Sequence, residues 1–485
     1  ESDIFIPKAA MGLDLAGGPF ALTVKGNSFD VKGSGQLDGR TAFVAYQEFL
    51  KSAGQAYSSK AAASLSVDPN LRQKLGMDLS DFLEGSAAVD LTYTQYQDGR
   101  GEADIKADLK QARLFAEPFD YEKPAGGDAQ TSFHATIKDK TLQSITDLTA
   151  TAPGLTVEKS RFDFIRKGEE THLKGGSISR FVLGETVAKL DFDYDDAGRV
   201  KIVVGGPLFD LRPFLDNEGE KQEPYQAPPM QISLAADRLR TAEGEDVQYG
   251  KIYADIDGQG AFNQLEMDAI AGKGDIYLRY KPDASGKRVF RFEADDAGAT
   301  LKAFDIYDNI IGGKLVMYAE PIKGVYDRNL NGLAEITDFK VVKAPVLAQL
   351  LNAMSIVGLP ALLNNEGLTF TKLEAKFNWL YRQHGSLLVL KEGRTSGSSL
   401  GFTFDGTFDN AAGTIDVNGT MVPMSEVNKI IGSIPIVGDI LTGGSGGVFA
   451  ATYSIKGKGS APEVSVNPLS VLTPGILRRI LFEQN

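Results

Sequence analysis

The sequence predicts a mostly β fold: a long antiparallel sheet, curled into an open trough or groove, with a few short amphipathic helices. Three observations point there. Apolar residues alternate with polar ones at period two along most of the chain. Turn signals separate the alternating runs every ten residues or so, which suits a meander rather than the long crossovers of a parallel sheet. Helix-like segments are too few to cover the apolar face that so many strands would present.

The strands can be read off in order. "FALTVKG" places Phe20, Leu22 and Val24 on one side, "AAVDLTY" does so with Val89, Leu91 and Tyr93, and "ADIKADL" with Ile105, Ala107 and Leu109. Later runs are "KLDFDYD" (Leu190, Phe192, Tyr194), "KIYADID" (Ile252, Ala254, Ile256), "DIYLRYK" (Ile276, Leu278, Tyr280) and "LGFTFDGTFD" (Leu400, Phe402, Phe404, Phe408). Between them lie turns such as "QDGRG" at 97–101, "DDAGR" at 195–199, "DASGK" at 283–287 and "DNAAG" at 409–413. Amphipathic helices are expected at 42–57, 68–83, 344–363, 425–441 and 470–482. The proline-rich stretch 206–230 reads as the connection between an N-terminal β-groove segment, 1–205, and a C-terminal one, 231–485.

Composition excludes several classes. A formal charge of −13 over 485 residues disfavours nucleic acid, whose phosphates need a basic face. The chain has no cysteine, which removes disulfides, thiolate metal sites and cysteine nucleophiles together. The first residue is Glu1, so the chain reads as processed or cut, with any anchor or signal upstream. Residues 344–363 are twenty without a charge, the length a bilayer asks for, but Pro345, Pro360, Gln349 and Asn352 suit a helix lying in an apolar cleft better.

Toward the C-terminus the wording becomes specific. "VKAPVLAQLLNAMSIVGLPALLNNEGLTFTKLEAKF" (342–377), "TSGSSLGFTFDGTFD" (395–409), "GTMVPMSEVNKIIGSIPIVGDILTGGSGGVFAATYSIKG" (419–457) and "VSVNPLSVLTPGILRRILF" (464–482) together resemble the C-terminal region of the AsmA-like superfamily, in its YhdP-type branch. The runs "LGMDLSDFLEGSAAVDLTYTQYQDGRGEADIKADLKQARL" and "FEADDAGATLKAFDIYDNIIGGKL" resemble the region before it. The resemblance implies an envelope protein of Gram-negative bacteria, held in the inner membrane by an N-terminal helix absent from this chain. It also implies a curled sheet with a hydrophobic groove that moves phospholipids through the periplasm toward the outer membrane.

Other motifs read more simply as structure. "GGSGG" at 443–447 has the G-x-S-x-G form, but a helix-like run precedes it and a strand follows, the reverse of a nucleophile elbow. "DRNLNGLAEITD" at 327–338 begins like a calcium loop, yet its flanks alternate as strands and its twelfth position is Asp338. His134, His172 and His384 lie too far apart in sequence to suggest a triad or metal cluster. The single tryptophan, Trp379, packs a strand end or lines the groove.

The expected groove lining is Leu190, Phe192, Ile252, Ile276, Leu278, Phe377, Phe402, Phe404, Phe449 and Tyr453. Leu347, Leu350, Leu351 and Met354, with Ile430, Ile431, Ile434 and Ile436, are expected on helices at the groove's end, as a plug or as a mobile mouth. Leu477, Arg478, Arg479 and Phe482 form a short basic amphipathic tail that suits an anionic lipid surface. Expected partners are phospholipid acyl chains, the inner and outer membrane surfaces, and envelope proteins at either end. Neither catalytic residue, cofactor nor metal is expected. Two rival readings are an assembly factor that pairs exposed strand edges with outer-membrane β-barrel proteins, and an envelope spacer. If the lining conducts lipid, Asp at Ile276, Leu278, Phe402 or Phe404 should interrupt it.

Overall fold

In the computed structural model, the described residues are 4–10, 12–168, 170–215, 227–322, 329–353, 359–382, 385–423, 451–459 and 461–467. The chain is mostly β, with 67% of residues in strands and 9% in helices, so helices cover only part of the sheet surface. It divides into two compact units, Glu1–Phe214 and Leu215–Asn485. The last strand of the first unit, Val200–Asp210, runs into the proline-rich stretch, and a turn of helix, Arg212–Leu215, follows it.

Within each unit most strands pair with their neighbours in sequence, all antiparallel among the described pairs. Leu13–Gly17, however, pairs past Phe20–Lys25 with Ser28–Leu37, and Arg100–Asp108 pairs past the small-sheet strands with Gln130–Lys138. In the first unit the meander runs from Phe20–Lys25 through Ser28–Leu37, Arg40–Phe49, Ser59–Val67, Ala87–Gln95 and Arg100–Asp108. It continues from Gln130–Lys138 to Val200–Asp210. In the second it runs from Met230–Ala242 to Glu463–Asn467. The sheet does not close into a barrel. The open, antiparallel, mostly β architecture expected from the sequence is therefore the one adopted.

Three helix expectations change. Residues 42–57 contain no helix: Arg40–Phe49 is a strand bonded on both sides. Its Val44 and Tyr46 suit a pleated surface, and two ladders of backbone hydrogen bonds outweigh a weak helical pattern. At 68–83 the helix is only Pro69–Lys74, started by Asp68, whose carboxylate accepts from Leu71 N at 2.9 Å. The 344–363 segment becomes two helices, Pro345–Ala353 and Leu359–Asn365. The segments 425–441 and 470–482 lie outside the described residues.

In each unit, taken by itself, the two ends of the strands differ. At one end the connections are tight turns, such as 97–100, 195–199, 257–261, 283–287 and 409–413. At the other lie the insertions: helix Ala297–Ala303, the helices of 345–365, and in the first unit a small three-stranded sheet of Leu83–Glu84, Arg113–Ala116 and Tyr121–Lys123. That small sheet lies along the strand ends. Tyr121 donates to Pro153 O at 3.0 Å, and Phe119 meets Phe214 and Phe209 at ring distances of 5.4 and 6.3 Å. We call these the covered and the open end.

A lysine locks this insertion. Lys123 is 1% exposed, and its ammonium donates to the carbonyls of Leu109 at 2.8 Å, Ala112 at 2.7 Å and Lys110 at 3.2 Å. Three acceptors replace the water lost on burial, which is the condition for keeping such a group inside. Lys123→Met, of similar length but with no donor, should therefore cost about 3 kcal/mol, since hydrogen bonds to a charged group are worth about 1.5–3 kcal/mol and the carbonyls are left unpaired. Urea unfolding measures this; an unchanged midpoint would show that the insertion holds without its ammonium.

Candidate functional site

Cross-strand register turns the period-two pattern into continuous rows. In the second unit one row begins Ile232, Ala254, Leu265, Tyr280, Phe290, Ala319 and Gly332. It continues through Phe377, Leu390, Gly406, Val417, Ile455 and Val464. Thirteen strands contribute to it without one charge. A parallel row takes Leu234, Ile252, Met267, Leu278, Phe292, Met317, Ala334 and Ala375.

The first unit repeats the pattern independently. Leu22, Val31, Tyr46, Ala61, Tyr93 and Ala103 are successive partners. Ala135, Ile145, Phe162, Gly176, Phe192 and Ile202 carry the row onward. The opposite face is wet and charged. Glu266 meets Lys281 at 2.8 Å, and Glu374 takes Lys372 at 2.9 Å and Arg394 at 2.8 Å. The hydrogen bond from Lys372 holds the Glu374 carboxyl below its usual range.

Burial grades along the strands. At the covered end Leu239, Val247, Ile276, Ala294, Leu368 and Met421 are fully buried or nearly so. At the open end the same face keeps large side chains in solvent: Phe262 is 41% exposed, Trp379 42% and Phe408 38%. Trp379, Leu388, Phe408 and Ile415 are successive register partners, so this exposure forms a strip across neighbouring strands. The tryptophan thus lies on the apolar face at its open margin.

Nearer the covered end the second unit has a cleft of about 230 Å³, lined by Tyr307, Ile310, Phe339, Val341, Leu347, Phe370, Leu373, Thr395, Phe402, Phe404 and Tyr453. An aromatic ladder floors it. Phe339 stacks on Phe370 at 5.4 Å, Phe370 meets Phe402 at 6.2 Å, and Phe402 meets Tyr453 edge-on at 6.2 Å. Two of its polar groups are committed elsewhere: Tyr453 donates to Thr403 O at 3.0 Å and Thr395 donates to Lys372 O at 2.8 Å. Burial drives the Tyr453 phenol far above its ordinary pKa. Burial among carbon neighbours raises Tyr307 too, although 41% of its surface stays open.

The sequence-named residues fall as follows. Leu190 and Phe192 lie on the apolar face of the first unit, and Ile252, Ile276, Leu278 and Phe377 on that of the second. Leu347, Phe402, Phe404 and Tyr453 meet in the cleft, whereas Leu350 and Leu351 are buried in the protein's own core. Phe449, Met354, Ile430, Ile431, Ile434, Ile436, Leu477, Arg478, Arg479 and Phe482, like "GGSGG" and His384, lie outside the described residues.

Ile276 and Phe402 are 0% and 7% exposed, so Asp there would disturb folding before any ligand. His134 leaves the alternation at a register shift and meets Asp104 at 3.0 Å, while His172 meets Glu170 at 3.4 Å. The flanks of the calcium-like loop, Ile310–Pro321 and Leu330–Val341, are paired strands as the sequence indicated. Sequence reading missed Tyr307, Ile310, Phe339, Val341, Phe370 and Thr395 and did not name Leu373 as lining; Leu373 alternates in phase with Phe377 and Trp379, whereas Phe370, three residues before it and across a register shift, does not.

Tyr453 has room because its register partner is Gly419: a Cβ built there would press on the Tyr453 ring at 2.7 Å and on the Thr403 carbonyl that accepts the phenol. Gly419→Ala should therefore destabilise the chain by about 2 kcal/mol, the usual range for overpacking being about 1–3. Chemical denaturation tests this; wild-type stability would mean the ring is not held by that fit. No protein-family model, curated protein or solved structure matches the chain.

Proposed function

We propose that this protein carries phospholipid through the bacterial periplasm toward the outer membrane, with the acyl chains lying on the apolar face of its sheet. The observation that supports this most is the charge-free row over thirteen strands, left open along one margin. Part of that row is buried, but the same face is exposed at Phe262, Trp379 and Phe408 along its open margin. Exposed apolar surface calls for a partner of matching chemistry, and a chain that slides needs a lining with no step in polarity. Each buried methylene contributes about 0.8 kcal/mol, so lipid on this face avoids most of the cost of crossing water. No group need react, and transfer requires no catalytic residue.

The resemblance to the AsmA-like superfamily supplies the compartment, the inner-membrane anchor and the direction of transfer. Contacts with the two membrane surfaces, and with envelope proteins at either end, belong to the same proposal. No helix among the described residues is long and apolar enough to cross a membrane.

The test uses positions that keep the fold intact. A photo-crosslinking amino acid at Leu278, Leu388 or Phe408 should capture phospholipid in cells. Phe408→Asp, at a side chain 38% exposed, should cut capture at the neighbouring Leu388 by about tenfold, the equivalent of two methylenes left unburied, with little change in unfolding midpoint. Crosslinks to protein clients alone would favour strand-edge assembly instead.

A further inference from the structure

The cleft and the exposed strip share strands, and their separation has a physical meaning. Phe402 lines the cleft and Phe408 stands at the open margin of the same strand, Leu400–Asp409, on the same face. Six residues of strand at about 3.3 Å each put them about 20 Å apart. The chains of one bilayer leaflet span about half of a hydrocarbon core that is about 30 Å thick, so about 15 Å. That figure is for disordered chains in a fluid leaflet, so one acyl chain straightened along the strand covers most of the distance from one site to the other.

The chemistry of the two ends fixes which end of the lipid goes where. In the cleft the Tyr453 and Thr395 hydroxyls already donate to backbone carbonyls, leaving carbon surface and the Tyr307 phenol. A phosphate placed there would lose its hydration with no cation among the described lining residues to replace it. An apolar cavity of about 150 Å³ takes a benzene-sized guest, so a cleft of about 230 Å³ has room for a longer piece of alkyl chain. At the open margin stands Trp379, a ring with an apolar body and a polar N–H, of the kind found at headgroup level in membranes.

We infer that the cleft beneath helix Pro345–Ala353 is a seat for the methyl end of a single acyl chain, which lies parallel to the strands with its headgroup at the Trp379 margin. This rests on the lipid reading above and adds to it a polarity and a chain-length limit. Lipid moving from strand to strand would keep the headgroup on one side throughout.

Trp379 is the only tryptophan, so its fluorescence reports the open margin alone. The intact chain is mixed with phosphatidylcholine brominated either near the headgroup or near the terminal methyl. Bromine quenches at contact range, and quenching should be at least threefold stronger for the headgroup-proximal label. Equal quenching, or stronger quenching by the methyl-end label, would overturn the orientation. Quenching by neither, in protein shown to be folded, would sink the lipid reading itself, and the orientation with it. A second readout is saturated fatty acids of increasing length: affinity should rise about fourfold per methylene and then level off once the seat is full, whereas a rise that never levels off would contradict a seat of fixed length.

Discussion

An apolar face that is continuous along the hydrogen-bonding direction is the constraint from which the rest of this structure follows. Antiparallel pairing places register partners side by side, and alternation keeps each residue's neighbours on its own side. A charge at one position would therefore break a row shared by every strand. The rows of both units contain none, although Asp, Glu, Lys and Arg make up 24% of the chain. Those charges gather on the other face, where exposed pairs such as Lys281 with Glu266 give a few tenths of a kilocalorie each and keep that side in water.

The covered end and the open end divide two tasks. Beneath the insertions the face is dry and supplies cohesion, with Leu239, Ile276 and Met421 wholly buried. At the tight-turn end the described insertions do not reach the same face, and Phe262, Trp379 and Phe408 keep 38–42% of their surface in solvent. Aromatic residues would obstruct it if they stood upright, but several lie across glycines of the next strand. The Phe377 ring lies over Gly332, where a Cβ would come within 2.8 Å of it, and Tyr453 lies over Gly419 in the same way. Rings laid against the sheet give carbon surface without closing the space above it.

Most of the fold was legible because alternation and turn residues repeat so often, and Leu278, Phe377 and Phe402 could be placed from their runs alone. The expected helix at 42–57 failed because Ala42, Val44 and Tyr46 serve equally as one side of a strand, and only pairing on both edges decides. Much of the cleft was hidden for a different reason. Asp338 and Glu392 adopt left-handed backbone, with φ of 54° and 53°, and the alternation changes phase around them. Ile336 and Phe339 are both buried despite an odd spacing, and Gly393 follows Leu390 in the same manner. A fixed period of two therefore puts Phe339 on the wrong side. Tyr307 and Leu347 come from connections between strands, whose placement depends on contacts far along the chain.

The central claim is that the apolar face is open to alkyl chains and holds them, and native mass spectrometry of the intact chain, purified from envelope without detergent exchange, tests it most directly. The account predicts phospholipid retained by the folded protein, released when Asp is introduced at Leu278 and Phe408 together. Folded protein that carries no lipid, and takes none up from vesicles, would contradict it.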